Sequence, residues 1–209
     1  MDQLANVLAL TLFSTALLIA LRAFYLCSQT SQGRRYRLCI LGMSMGVLAL
    51  TAIASYAGDN IKDLPVNVNW FKYTAQTVCF LFIILSLVRS SDTYLRRLMY
   101  WQIGISLLLL FLFAPIIPSS MPYPALTKSL LGGSRSLICF VVFFIYIGAF
   151  ISKETRFSLL MSVAFLLLSI GYWLNMPKYM DSHLVLLDAV GDGVRITGLV
   201  ALLIAIFLG

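Results

Sequence analysis

Asp188, Asp192 and Arg195 stand in the segment 184–208, whose other residues are almost all apolar. A charge at bilayer depth is costly, so each of the three needs a partner, water or a role in function. At about 100° per residue they fall within roughly 60° of arc, on one face of a helix. Asp192 and Arg195 are spaced i, i+3, within reach of an ion pair. The guanidinium could receive an anion, and either carboxylate could pass a proton. Asp188 and Asp192 could also share a divalent cation, but no third acid in an apolar segment completes an oxygen shell. No metal site is expected.

Other apolar segments carry polar residues near one end. Lys72, Tyr73, Gln76 and Thr77 form one such group, Ser134, Arg135 and Ser136 a second, and Ser169, Tyr172 and Asn175 a third. With Asp188, Asp192 and Arg195, the residues Lys72, Gln76, Arg135, Tyr172 and Asn175 are the candidates for ligand binding or proton handling. Lys72, Arg135 and Arg195 set three cations against two acids, which favours a small anionic or zwitterionic ligand. A structural reading stands beside this one, because intramembrane polar groups also join helices and Lys72 and Arg135 are shallow enough to reach headgroups. Gly191, Gly193 and Gly198 around Asp192 either loosen the helix or, as we favour, admit a close neighbour. Gly42 and Gly46 make a similar small-residue pair.

The elements that must position these groups follow from composition. The chain has 209 residues, 61% hydrophobic and 11% charged, with mean hydropathy +0.95. Soluble domains carry about 25% charged residues, so the expected environment is a lipid bilayer. Apolar runs of spanning length cover about 4–26, 38–57, 70–88, 98–117, 131–151, 157–174 and 184–208. They are continuous rather than alternating, which excludes a β-barrel. The expected fold is an all-α integral membrane protein, a single seven-transmembrane-helix bundle over residues 1–209 without a convincing internal repeat. No cleavable leader is read at the start, and residues 4–26 are expected to stay as a span.

Arg34, Arg35 and Arg37 follow the first run, Arg89, Arg96 and Arg97 the third, and Lys153 and Arg156 the fifth. The alternate loops hold Lys62, Lys128 and Lys178 mixed with Asp59, Asp63 and Asp181, with turn formers Gly58, Pro65, Pro118, Pro122, Pro124 and Pro177. The positive-inside rule then puts the N-terminus outside and the C-terminus in the cytoplasm. Tyr56, Trp70, Tyr123, Tyr172, Trp173 and Tyr179 mark the outer boundary, and Tyr100 and Trp101 the inner one. On that axis Asp188, Asp192 and Arg195 lie about 6, 12 and 17 Å deep. The same stripe continues into Leu199, Leu202 and Ile206. Ser44, Gln102 and Ser106 are the scattered polar exceptions of the inner half. A cavity open outside and closed below fits this asymmetry better than a through-going pore.

The charge of +7 is spread over short loops, so no nucleic acid is expected as a partner. Cys27, Cys39, Cys79 and Cys139 lack zinc or redox spacing and read as buried thiols. His183 is the only histidine, which excludes bis-histidine haem and histidine-rich metal centres. No nucleophile elbow, P-loop or kinase motif is present, so no catalytic residue and no cofactor is assigned.

In layout, seven helices with an outside N-terminus and a pocket-facing acid in the last helix resemble the microbial rhodopsins, around Lys72-Tyr73 and Leu187-Asp188. That family holds retinal on a lysine of the last helix. Here the position four after Asp188 is Asp192 and the helix has no lysine, so covalent retinal is ruled out and no pump mechanism carries over. The expected function is a receptor-like or ligand-binding protein of a bacterial-type plasma membrane, relaying through a membrane partner because the chain ends at Gly209 without an effector module. Alternatives are a small-molecule or proton-coupled transporter using Asp188 or Asp192, and an accessory subunit of a membrane complex.

Overall fold

A computed structural model describes residues 2–30, 32–61, 68–88, 91–111, 124–177 and 185–208. These residues form seven helices: α1 (Asp2–Gln29), α2 (Gln32–Asn60), α3 (Val68–Val88), α4 (Asp92–Leu110), α5 (Pro124–Lys153), α6 (Arg156–Leu174) and α7 (Val185–Leu208). Each overlaps one expected apolar run, because a continuous apolar segment satisfies its backbone groups most simply as a helix. The helices also extend into stretches expected to be loops: α2 takes in Arg34, Arg35 and Arg37, α4 takes in Arg96 and Arg97, α5 takes in Lys128 and Lys153, and α6 begins at Arg156. Six of them, all but α4, are long and apolar enough to cross a membrane. In α4, Asp92, Arg96 and Arg97 crowd the first turns, and residues 112–117 of its expected span lie outside the described residues. So do Lys62, Asp63, Pro65, Arg89, Pro118, Pro122, Tyr123, Lys178, Tyr179, Asp181, His183 and Leu184.

The chain divides into two compact units, Met1–Thr15 with Pro122–Gly209, and Ala16–Met121. In the second unit α2, α3 and α4 pack on one another. One core cluster joins Ile40, Phe82, Leu95 and Leu98; another joins Ala54, Phe71, Ala75 and Leu109. Gly42 lets the Phe24 ring of α1 lie 3.2 Å from where a Cβ would stand, whereas Gly46 faces open space. Only the first glycine of that pair serves close packing.

The same unit overturns the reading of the cysteines. Cys27 and Cys39 form a disulfide, their Cα atoms 5.6 Å apart, while Cys79 and Cys139 are free and buried. Spacing along the chain gave no hint of the bond. It arises because α1 ends at Gln29 and α2 begins at Gln32, so Cys27 near the end of one helix and Cys39 near the start of the next come within bonding distance. Ser44, Gln102 and their neighbours are not scattered either. Gln102 Nε2 donates to Ser44 Oγ (2.8 Å) and to the Ile40 carbonyl (3.2 Å), and Ser44 Oγ donates to the Cys79 carbonyl at 3.2 Å. Those bonds tie α2, α3 and α4 where the surroundings are apolar.

In the first unit α5 packs on α6 and α6 on α7. The α5–α6 turn is two residues long. Glu154 takes φ of 49°, the left-handed conformation that ends many helices, and Thr155 caps α6 by accepting from the Ser158 amide at 3.3 Å. Ser136 and Ser169 exchange hydrogen bonds, each hydroxyl donating to the other residue's carbonyl at 2.9 Å. On α7, Arg195, Leu199, Leu202 and Ile206 are all buried, so the face expected to look inward does so from Arg195 onward, whereas Asp188 and Asp192 before it are half-buried.

A buried arginine and tyrosine cluster as candidate functional site

The site is built where α6 and α7 come closest. A Cβ on Gly171 would meet Arg195 Cγ and stand 2.8 Å from the Gly191 carbonyl oxygen. A Cβ on Gly191 would collide with Asn175 Oδ1 and stand 3.0 Å from the Gly171 carbonyl. Gly198 repeats the approach one stage deeper, against the Ala164 carbonyl at 3.0 Å. Three glycines thus bring two backbones together and leave a channel for the aliphatic stem of Arg195. Gly193 has nothing near it. Close packing therefore accounts for Gly191 and Gly198 but not for Gly193.

Within that approach Arg195 Nη1 donates to Asp192 Oδ1 at 2.6 Å, the side chains being 11% and 24% exposed. Asn175, the C-cap of α6, donates from Nδ2 to the same carboxylate oxygen at 2.9 Å. A helix-ending side chain of α6 and the charged stripe of α7 are thereby joined. Asn175 Oδ1 is buried with no hydrogen-bond donor among the described residues.

The Arg195 guanidinium carbon lies 4.6 Å from the centre of the Tyr172 ring, and that of Arg135 lies 4.9 Å from the same centre. Cations over an aromatic face are attracted by its quadrupole, more strongly when desolvated. Arg135 is 2% exposed and Tyr172 3%, so water screens these contacts little. Arg135 Nε also donates to the Leu131 carbonyl at 3.1 Å within α5. One ring of α6 therefore receives a cation from α5 and another from α7.

Of the residues singled out from sequence, Arg135, Tyr172, Asn175, Asp192 and Arg195 meet in one cluster. Asp188 lies half-buried in the first turn of α7, one turn from Asp192 on the same stripe. Lys72 and Gln76 belong to the other unit, where each has a local partner: Lys72 Nζ donates to Ser55 Oγ and Gln76 Nε2 to Thr51 Oγ1, both at 2.9 Å. Thr51 and Ser55 were missed, and their i, i+4 spacing on α2 was the available signal. Arg22, a cation inside the first apolar run, was missed too; its guanidinium lies 5.4 Å from the Tyr25 ring centre. Among the described residues no three of histidine, cysteine, aspartate or glutamate converge as metal ligands. Compared with protein-family models, with curated proteins and with solved structures, the chain matches none.

Proposed function

We propose that this is a multi-pass protein of a bacterial-type plasma membrane that binds a small anionic or zwitterionic molecule at the α5–α6–α7 cluster and passes occupancy to a membrane partner. The observation that carries the reading is the single Tyr172 ring held by Arg135 of α5 and Arg195 of α7. An anion competing with Asp192 for Arg195 would move that guanidinium over the ring and alter the contact made by Arg135. Binding at α7 would then be felt at α5, which is a physical basis for a relay. The more exposed Asp192 is the side from which such a ligand would arrive.

The basic residues that flank the apolar runs, at the ends of the helices, favour an outside N-terminus and a cytoplasmic C-terminus with seven spans. The Cys27–Cys39 disulfide favours the opposite orientation, since it lies beside Arg34, Arg35 and Arg37 and disulfides persist in oxidising compartments. Reporter fusions at the two termini separate these orientations directly.

Binding is tested by thermal unfolding of the full chain in detergent against free amino acids, dicarboxylates and phosphate monoesters. A compound present at 100 times its Kd stabilises by about 2.7 kcal/mol, a rise of roughly 5–10 °C. The expected result is such a rise in the wild type and its loss in Arg135→Gln and Tyr172→Leu. No rise with any compound, or a rise that both variants keep, overturns the binding reading. Purification as a solitary monomer in mild detergent removes the partner from it.

A further inference from the structure

We propose that the outward face of α4 is a binding site for the headgroup of an anionic phospholipid. The proposal rests on membrane embedding and is independent of the Tyr172 cluster. A groove of about 460 Å³ is lined by Thr93, Arg96, Arg97, Tyr100 and Trp101. The spacing is regular: each arginine has an aromatic ring four residues on, and Thr93 lies three and four residues before them, so all five share one side of the helix. The opposite side is anchored, with Leu95, Leu98 and Gln102 buried and Gln102 bonded to Ser44 and Ile40. Helix α4 is thus held by one face and offers the other.

That offered face is graded along its length. Thr93, Arg96 and Arg97 are exposed, then Tyr100 and Trp101, each 63% exposed, and then Ile103, Leu107, Leu108, Leu110 and Phe111, the last 71% exposed. The order is hydroxyl and cation, amphipathic ring, hydrocarbon. It matches the order of a phospholipid from phosphate through glycerol ester to acyl chain. The lengths agree as well. From Trp101 to Phe111 the helix rises about 15 Å, half of a hydrocarbon core about 30 Å thick. Two adjacent guanidiniums, which bind phosphate through forked donors, select an anionic lipid over a zwitterionic one. A free phosphate would use the arginines and leave the aromatic and apolar steps without a function.

The test uses full-length protein in phosphatidylcholine vesicles containing a minor fraction of lipid brominated high on the acyl chain, as either phosphatidylglycerol or phosphatidylcholine. Trp101 fluorescence is isolated by difference from Trp101→Phe. Brominated phosphatidylglycerol should quench Trp101 more strongly than brominated phosphatidylcholine, with local enrichment of roughly fivefold for each arginine engaged. Arg96→Gln with Arg97→Gln should abolish the preference, and lysine at both positions should keep much of it. Equal quenching by the two lipids in the wild type overturns the proposal, whatever the variants do. A preference for phosphatidylglycerol that survives Arg96→Gln with Arg97→Gln also overturns it, because the guanidiniums are then not what selects the lipid. Failure of the protein to float with vesicles refutes membrane embedding itself and is read before any quenching.

Discussion

Asn175 at the end of α6 donates to Asp192 on α7 at 2.9 Å, and Asp192 spends the same oxygen on Arg195 at 2.6 Å. One carboxylate oxygen therefore joins the close of one helix to the charged stripe of the next. Removing either charge strands the other in low dielectric, where breaking a buried pair is costly.

Arg195→Gln and Asp192→Asn should each destabilise the protein by about 3 kcal/mol, lowering Tm by roughly 6–12 °C. The double variant should lose less than the sum of the two. Thermal unfolding in detergent measures all three, and strict additivity would mean that the pair contributes nothing beyond its separate parts.

The glycines separate by what surrounds them. Gly191→Ala and Gly171→Ala place a methyl group against Asn175, Arg195 and facing backbone, and should cost about 1–3 kcal/mol or more. Gly193→Ala and Gly46→Ala, with nothing within 4 Å, should be neutral or stabilising by up to about 1 kcal/mol through helix propensity. Equal melting temperatures for the two groups would contradict the close crossing of α6 and α7.

The disulfide is checked by mass and by gel mobility with and without reductant. Cys27→Ser should abolish the mobility difference and destabilise the oxidised protein by about 3 kcal/mol, the chain entropy of a loop of this size, given a separation of 12 residues. Detection of four free thiols in unreduced protein would refute the bond.

Gln102→Leu should cost roughly 1–2 kcal/mol, because it leaves Ser44 Oγ and the Ile40 carbonyl without the amide they bind. Double-mutant analysis with Ser44→Ala should give a coupling near 0.6 kcal/mol, as for hydrogen bonds inside helical membrane bundles. A coupling of zero would mean that the bridge has no energetic weight.

Much of this was legible because hydrophobicity and helical periodicity are local properties. The apolar runs located the middle of each of the seven described helices but not the polar turns that begin α2, α4 and α5, and the 100° step put Arg195 on the face that continues through Leu199, Leu202 and Ile206, all buried. The i, i+3 spacing of Asp192 and Arg195 announced a pair that forms. What could not be read was which helix answers which. Lys72 and Gln76 looked equivalent to Arg135 in sequence, yet they bond to Ser55 and Thr51 on α2, while Arg135 lies over Tyr172.

The sequence by itself determined that the chain is helical, strongly apolar and provided with charges on one face of its last helix. These follow from the composition and periodicity of each segment alone. The tertiary structure decided that Cys27 meets Cys39, that Asn175 reaches Asp192, and that Arg135 and Arg195 share one ring. Each of those contacts joins residues on different helices. It depends on which helices pack together and how closely their backbones approach, and Gly171 and Gly191 express that approach only once their partners are in place.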